Sequence, residues 1–308
     1  MSRPKYSKPG SLRRGDRVRL IAPAGPFDPA ACRAGQQVLK RLGLVPLISQ
    51  SESAREGFLA GSDRRRAEAL ESALREEDTR AVWCIRGGYG TARLLPLLDL
   101  ARLRRRPKLV IGFSDITALL VQLTRNGGFV AIHGPVVTQL PRLAAADIRW
   151  LKALLFGERP TRHLPLGRTR TLVPGRAEGT LMAGNLCTLA SLAGTRFAPD
   201  FRGAVVCLED VGEEAYRLDR LFWQTVASGM LKQVRGIILG ELIDCKPEGT
   251  GRYSARSVLE RAVATLGLPS VSGAAFGHGR RNVAIPVGVR ARLDAGTRTL
   301  TLLESAVR

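Results

Sequence analysis

The sequence predicts an α/β protein of two domains, of which the N-terminal one is built on a parallel β-sheet. Two observations indicate this class. Strand-like and helix-like stretches alternate through the first half of the chain, and the strand-like stretches are apolar almost without a break. Such strands are typical of a parallel sheet that helices cover on both faces. With 308 residues, 44% of them hydrophobic, the chain is long enough for two domains of ordinary size.

The first half of the chain contains five predicted strands. They lie in VRLIAPAG, LVPLIS, AVWCIRGGYG, KLVIGFS and FVAIHGP. Helices are predicted near residues 29–42, near 62–74, from about Thr91, and directly after KLVIGFS. The last of these carries apolar residues at i, i+3, i+4 and i+7, which is the spacing of one helix face. The alternation predicts an N-terminal domain over residues 1–160, of the flavodoxin- or Rossmann-like type.

The second half of the chain is more mixed. Residues 161–178 are rich in Pro, Gly, Thr and Arg, which is typical of a link between domains. From 179 to 308 we predict a smaller, mixed α/β domain. Its buried strands are predicted in AVVCLED and VRGIILG, with a helix in EEAYRLDRLFWQTVASG between them and a closing hairpin in VGVRARLDAGTRTLTLLE.

The formal net charge of +21 is unusual, and a charge of this size commonly indicates nucleic-acid binding. Here the charge is spread along the chain. The basic runs at 64–66 and 104–106 lack the interleaved aromatic residues that stack on bases. We interpret most of the charge as solvated surface and expect no nucleic-acid partner. A non-catalytic, basic nucleic-acid-binding protein remains a rival hypothesis, and it predicts tight, salt-sensitive binding.

Cysteine usage and the N-terminal segment both favour a cytoplasmic protein. The five cysteines are an odd number, are widely spaced and form no C-x-x-C pair, which suits a reducing compartment. The N-terminal segment is basic but lacks the apolar core of a secretory signal. No apolar stretch reaches membrane-spanning length. We therefore expect a cytoplasmic location and no membrane partner.

The glycine loop RGGYGTAR, residues 86–93, follows a predicted strand and precedes a predicted helix. It lacks the third glycine of a dinucleotide-binding loop and the acid expected about 20 residues later. The chain also has no phosphate-binding P-loop motif, so we expect no nucleotide cofactor. The loop's backbone N–H groups could hold a substrate carboxylate or a developing oxyanion. A tight turn with no chemical role explains the same residues equally well.

Three further features carry candidate chemistry. Ser114 in IGFSDITALL is either a helix N-cap or a nucleophile at a tight strand-to-helix turn. His278 lies between two glycines in FGHGRRN, and VVCLEDVGEE offers Glu209 or Asp210 at the end of a predicted strand. Each has an ordinary structural explanation when taken alone. Together they give a serine, an acid and a histidine, which are the parts of a serine-hydrolase triad.

Two motif classes are disfavoured. The three histidines, His133, His163 and His278, form no close pair, so we expect no metal site. His133 ends a predicted strand and is interpreted as a packed side chain near the site, and His163 as a solvated one. The serine motif lacks the second glycine of G-x-S-x-G, which disfavours an α/β-hydrolase.

A series of blocks runs through nearly the whole chain: LRRGDRVRLIAPAGP, RGGYGTARLL, IGFSDITALL, AIHGP, LMAGNLCTLASLAGT, LEDVGEEAYRLDRLFWQ, GIILGEL and GHGRRNVAIPVG. In these blocks and their order the chain resembles the LD-carboxypeptidases, a family of serine peptidases. The resemblance implies that the catalytic residues are Ser114, Glu209 and His278. It places the oxyanion hole at the backbone N–H groups of Asp115 and, less firmly, Gly88.

The resemblance also implies the activity. It predicts a serine carboxypeptidase, without cofactor or metal, that cuts an L-to-D peptide bond and releases the terminal D-alanine of a murein tetrapeptide during cell-wall recycling. We expect substrate contacts from Arg86, Tyr89 and Asn185, a muropeptide as the partner molecule, and a homodimer. The alternative within the family is an immunity-type peptidase of the microcin C kind, which cleaves a peptidyl- or aminoacyl-nucleotide.

Overall fold

The computed structural model describes residues 6–100, 107–158, 162–247 and 253–308. Its strands are β1 (Arg17–Ile21), β2 (Val45–Ile48), β3 (Ala81–Cys84), β4 (Leu109–Gly112), β5 (Ala131–His133), β6 (Arg170–Val173), β7 (Arg176–Asn185), β8 (Ala204–Val211), β9 (Gly236–Ile243), β10 (Ser270–Ser272), β11 (Ile285–Val287), β12 (Arg290–Asp294) and β13 (Thr299–Leu302).

The α-helices are α1 (Pro29–Arg41), α2 (Asp63–Arg75), α3 (Thr117–Arg125), α4 (Ala145–Phe156), α5 (Leu186–Ser191), α6 (Ala215–Ala227) and α7 (Ala255–Ala264). Short 3₁₀ helices lie at Gln50–Ser53, Ala92–Leu97, Ser114–Ile116 and Val137–Arg142. The helix predicted from Thr91 is therefore a short 3₁₀ helix and not an α-helix. Pro96 lies inside it, and proline has no N–H with which to continue an α-helix. None of the helices in the described ranges is long and apolar enough to cross a membrane.

The first sheet has the strand order β2-β1-β3-β4-β5-β11. Strands β1 to β5 are mutually parallel where they pair, and β3, β4 and β5 are buried along their whole length. This arrangement confirms the predicted parallel α/β sheet. The C-terminal ends of β3, β4 and β5 meet at one edge, so the glycine loop, Ser114 and His133 start from neighbouring positions.

The second sheet has the order β13-β12-β7-β8-β9-β10-β6. Strands β7 to β10 are parallel, whereas β12, β13 and β6 pair antiparallel at the two margins. The mixed sheet and the closing β12–β13 hairpin confirm the predicted class of the second half. One apolar core joins the two sheets, because Trp83 and Ile111 belong to the same buried cluster as Val206 and Ile238.

Two strands complicate a simple division of the chain. The segment 161–178, predicted as a link, contains β6, which pairs with β10 of the second sheet. Strand β11 lies in the predicted C-terminal domain but returns to the first sheet, where it pairs with β5. The domain limits 1–160 and 179–308 remain predictions. The basic run at 104–106 lies outside the described residues.

Candidate active site

Ser114 lies in a strained turn between β4 and α3. Phe113 is extended, with φ −157° and ψ −170°, and Ser114 has φ +63°. A residue with a Cβ adopts this left-handed conformation only at some cost, and such outliers concentrate at functional sites. The N-cap hypothesis does not describe this turn, because Ser114 already lies within the 3₁₀ helix and its Oγ contacts a histidine ring 164 residues away in sequence.

The imidazole of His278 connects the serine to an acid. Its Nε2 lies 2.9 Å from Ser114 Oγ, and its Nδ1 lies 2.7 Å from Glu209 Oε2. Glu209 is on β8 and is fully buried. The residue before the histidine, Gly277, has φ +126°, and a Cβ on it would come within 2.9 Å of Glu209 Oε2. Glycine is therefore needed here for the chain to pass the carboxylate.

The two acids that the sequence left open have different partners. Whereas Glu209 contacts the histidine, Asp210 is bound by Asn185 and by the start of α5. Its Oδ1 accepts hydrogen bonds from Asn185 Nδ2 (2.9 Å) and Val211 N (2.8 Å), and its Oδ2 accepts one from Cys187 N (2.9 Å). Burial, followed by the charge of Glu209, raises the pKa of Asp210 to about 7.

The environment of His278 favours its protonated form. Burial alone would lower the pKa of this imidazole, but the hydrogen bond and charge of Glu209, with a smaller contribution from Asp210, outweigh burial and raise the pKa above 6.5. A raised pKa indicates that the ring is arranged to receive a proton.

His133 lies beside this group without joining it. Its ring centroid is 6.0 Å from that of Phe113, which in turn lies 4.7 Å from the ring of His278. Burial lowers the pKa of His133 to about 4, so the ring is neutral at physiological pH. Neither of its ring nitrogens has a hydrogen-bond partner among the described residues. The expected packed histidine near the site is therefore what the structure contains.

The glycine loop packs directly on the serine turn. A Cβ on Gly87 would lie 3.0 Å from Ser114 Cβ and 3.2 Å from its Oγ. The carboxylate of Asp115 fixes the far end of the loop, since its Oδ2 accepts a 2.8 Å hydrogen bond from Thr91 N. Gly88 packs on Gly25 and not on the serine. Its N–H, however, belongs to the peptide that joins it to Gly87, the residue that packs on Ser114. Sequence reasoning missed Gly87, and the only signal for it was the pair of consecutive glycines.

Two of the three expected substrate contacts, Arg86 and Tyr89, belong to the glycine loop itself. Arg86 lines a cavity of about 390 Å³, together with Thr138 and Arg142, and its Nη1 donates a 2.7 Å hydrogen bond to Pro26 O. Tyr89 is exposed and meets the ring of Phe58 edge-on, with centroids 5.5 Å apart. Both side chains are therefore exposed on the glycine loop.

The third expected contact, Asn185, is buried and already occupied. Its Oδ1 accepts hydrogen bonds from the backbone N and the hydroxyl of Thr188, each 2.9 Å long, and thereby caps α5. Its Nδ2 donates to Asp210, and its backbone N donates to Thr117 Oγ1. Since both side-chain atoms have protein partners, the structure favours a positioning role for Asn185 over contact with substrate.

The remaining histidine lies far from this group. His163 is exposed and lies 3.2 Å, Nδ1 to Oγ1, from Thr301. Within the described ranges, no group of three or more His, Cys, Asp and Glu side chains is arranged to hold a metal ion.

Comparison with known proteins identifies the family. Residues 18–134 match the family model described as the LD-carboxypeptidase N-terminal domain, and residues 178–293 match the LD-carboxypeptidase C-terminal domain. The protein therefore belongs to the LD-carboxypeptidase family.

Relatives and solved structures extend this result. The murein tetrapeptide carboxypeptidase of Pseudomonas aeruginosa is 38% identical over 295 residues, which cover 90% of this chain and 93% of the relative. The crystal structure of muramoyltetrapeptide carboxypeptidase from Oxalobacter formigenes matches with a TM-score of 0.79 at 30% identity, covering 93% of this chain and 97% of the other. The microcin C7 self-immunity protein, in complex with glutamyl sulfamoyl guanosine, matches with a TM-score of 0.87 at 20% identity, covering 98% and 99%. At that identity the likeness concerns the fold alone.

Proposed function

We propose that this protein is a serine LD-carboxypeptidase in which Ser114 is the nucleophile, His278 the general base and Glu209 the residue that orients the histidine. The observation that carries the proposal is the continuous contact from Ser114 Oγ through both ring nitrogens of His278 to Glu209. Two of these groups come from the second half of the chain and one from the first. No pair of them is close in sequence.

The proposed reaction follows from these contacts. As Ser114 Oγ attacks the scissile carbonyl carbon, its proton passes to Nε2 of His278, and the carboxylate of Glu209 stabilises the resulting imidazolium. The imidazolium then gives the proton to the leaving amine, and the C–N bond breaks. Water then attacks the acyl-enzyme as His278 Nε2 accepts its proton. The bond from the acyl carbon to Ser114 Oγ breaks, the imidazolium returns the proton to Oγ, and the free acid leaves.

We further propose that the oxyanion is held by the backbone N–H of Asp115 and the N–H of Gly88. The first belongs to the turn that carries the nucleophile. The second belongs to the peptide after Gly87, which packs on Ser114. The bond from the Asp115 carboxylate to Thr91 supports this arrangement, because it fixes the glycine loop relative to the turn. Losing one such donor typically costs about 10²–10³-fold in rate.

The proposed substrate is a murein tetrapeptide, from which the enzyme releases the terminal D-alanine. The names of the relatives from Pseudomonas aeruginosa and Oxalobacter formigenes support this choice at 38% and 30% identity. The substrate ends in a carboxylate. The cavity next to the glycine loop is lined by Arg86 and Arg142, with one acid, Asp28, so its charged lining has a positive excess for this group. We propose that Arg86 and Tyr89 contact this substrate.

The setting of the activity is also a proposal. Recycled murein peptides are met inside the cell, so the proposed location is the cytoplasm, which the absence of C-x-x-C pairs supports. A homodimer is proposed from the family resemblance. The proposal includes no nucleic-acid or membrane partner.

A matched set of three peptides tests the proposed function. The purified protein should release D-alanine from a tetrapeptide that ends in meso-diaminopimelate–D-Ala and leave the D-Ala–D-Ala bond of the pentapeptide intact. Amidation of the tetrapeptide's C-terminus should slow release sharply, because the terminal charge helps to position the substrate. Mass spectrometry would follow D-alanine and D-alaninamide.

Ser114→Ala is the control in this experiment. It should remain folded, as judged by circular dichroism, and lose at least about 10⁴-fold in turnover. Equal rates on all three peptides would contradict LD-carboxypeptidase specificity, and an active, folded Ser114→Ala variant would end the nucleophile assignment. Cleavage of an aminoacyl sulfamoyl nucleotide, with no cleavage of any peptide, would instead support the immunity-type alternative, which the shared fold leaves open.

A further inference from the structure

The backbone directly before the histidine is held by two buried amide side chains. Gly277 N donates a hydrogen bond to Asn282 Oδ1 (3.2 Å), and Gln139 Nε2 donates one to Gly277 O (3.3 Å). The two amides are also joined, since Asn282 Nδ2 donates to Gln139 Oε1 at 2.8 Å. The carbonyl that Gln139 holds belongs to the peptide linking Gly277 to His278. Gln139 therefore holds this peptide directly, and Asn282 holds the preceding peptide and Gln139 itself.

A buried carboxylate holds the backbone of the loop at Asn282. Asp147 on α4 is fully buried and accepts hydrogen bonds from Nε and Nη2 of Arg281, the shortest of them 2.7 Å long. Its Oδ2 also accepts one from Asn282 N at 3.1 Å. The same helix holds the end of the loop, because Trp150 Nε1 donates to Ala284 O at 2.8 Å.

We propose that Gln139, Asp147 and Asn282, called here the histidine clamp, are positioning residues that hold His278 in line with Ser114 and Glu209. The proposal rests on the proposed function, because it assigns His278 as the general base. It adds three residues that touch neither the substrate nor the reacting atoms.

The physical need for such a clamp lies in the loop itself. Residues 273–284, all described by the structure, contain no helix or strand. Backbone hydrogen bonds hold the two ends of this loop, since Phe276 O accepts one from Glu241 N and Val283 N donates one to Ala275 O. Between these ends, the described residues 277–282 make no backbone-to-backbone hydrogen bond. The histidine is flanked by Gly277 and Gly279, and glycine restrains the backbone least of all residues. A misplacement of about 1 Å in a catalytic group can cost about 10²-fold in rate. Side-chain bonds to the backbone supply the restraint that the sequence of the loop lacks.

Gln139→Met gives the cleanest test. Methionine has a similar length but cannot donate to Gly277 O, and the contacts of Asp147 to Arg281 and Asn282 stay intact. We expect kcat to fall about 10–10²-fold, with KM within about threefold of wild type. Asn282→Leu should do the same or more. The double variant should lose less than the product of the two single effects, since both side chains bind Gly277 and bind each other.

Two readouts separate positioning from a general loss of stability. In a folded clamp variant the contact from Glu209 to His278 weakens, so the downfield NMR signal of the Nδ1 proton should shift upfield. Glu260→Gln is the matched control. Glu260 is a buried acid that accepts a 2.9 Å bond from Arg170 Nε on β6. Its loss should lower the melting temperature while leaving kcat and the His278 signal unchanged.

The rate at which a fluorophosphonate labels Ser114 keeps the proposal testable if the substrate is wrong. Labelling needs His278 to accept the serine proton but needs no murein peptide. Slower labelling of the clamp variants than of wild type and Glu260→Gln would support the clamp. Folded Gln139→Met with wild-type kcat, labelling rate and NMR signal would overturn it. A wild type that is labelled but releases no D-alanine would refute the substrate alone, and an unlabelled wild type would refute both the triad and the clamp.

Discussion

The serine turn and the histidine loop reach the same point in space by different means. The turn is built from consecutive residues: β4, an extended Phe113, the left-handed Ser114 and α3. The loop between β10 and β11 lies in no regular element, and its part from Gly277 to Asn282 is held by side chains such as Gln139 and Asp147, over 130 residues away in sequence. One position is set locally and the other by distant contacts.

The two regions also differ in how the backbone conformation is stabilised. At the turn, the cost of the left-handed Ser114 is met by the rigid strand and helix on either side, and the apolar residues of β4 and α3 are buried. At the loop, two glycines make the backbone permissive, and buried hydrogen bonds restore a single conformation. Changes to the turn should therefore alter the nucleophile sterically. Changes around the loop should alter the base electrostatically or by displacement.

The largest effect should follow from breaking the link between the acid and the histidine. Glu209→Gln keeps the shape but removes the charge that stabilises the imidazolium, so we expect a loss of about 10³–10⁴-fold in kcat. Asp210→Asn should stay within about tenfold of wild-type kcat, because Asp210 faces Asn185 and Cys187. It should instead lower the free energy of unfolding by about 1–3 kcal/mol, since one buried hydrogen bond is lost.

Steady-state rates and urea unfolding of the two purified variants would check this ranking. The reverse order of activities, in variants that remain folded, would transfer the orienting role to Asp210. Equal losses would mean that the different hydrogen-bond partners of Glu209 and Asp210 do not separate their roles in catalysis.

Much of the fold could be predicted from the sequence because it depends on local patterns. The continuous apolar strands predicted a parallel sheet, and the apolar face that begins at Ile116 predicted α3. The β12–β13 hairpin followed from alternation about a turn. The return of β11 to the first sheet could not be predicted, because a three-residue strand carries no periodicity and its partner β5 lies some 150 positions earlier.

The residues of the candidate site also fall into those that local motifs predict and those that only the folded structure reveals. The three residues of the proposed triad were reached from their motifs and from a family resemblance, and the structure brings them into hydrogen-bond contact. Gly87 was missed, because consecutive glycines do not reveal which one packs on the serine. The expected substrate contact Asn185 has structural partners that only the three-dimensional arrangement discloses. Gln139 and Asp147 gave no sequence signal, since buried polar residues far apart in sequence show their pairing only after folding.

An intermediate effect should come from crowding the serine turn. Gly87→Ala would place a Cβ 3.0 Å from Ser114 Cβ, so either the loop or the serine must move. We expect kcat/KM to fall about 10–10²-fold, consistent with a displaced nucleophile or oxyanion donor. Gly10→Ala is the matched control, because a Cβ there would meet nothing within 4 Å. Unchanged kinetics in folded Gly87→Ala would show that the glycine loop has no part in catalysis.

The smallest expected effect is on the pH dependence of kcat/KM. It tests only the histidine loop, because it reports the pKa of His278. The base must be neutral to accept the serine proton. Burial lowers the pKa of His278, but Glu209 and then Asp210 raise it above 6.5. A raised pKa means that the neutral base disappears as pH falls through that value, so kcat/KM should drop about tenfold per pH unit on the acid side of a midpoint above 6.5.

The groups around the ring fix the sign of the shift in each variant. His133, with a pKa of about 4, stays neutral and adds nothing between pH 5 and 8. Asp210, with a pKa of about 7, carries a partial charge there, so Asp210→Asn should move the midpoint slightly down. Glu209→Gln removes the main contribution that opposes burial, so an NMR titration of the His278 ring should give a pKa below 6.5. An unchanged pKa in Glu209→Gln would mean that the contact between Glu209 and His278 does not control the base, and the acid would lose its proposed role.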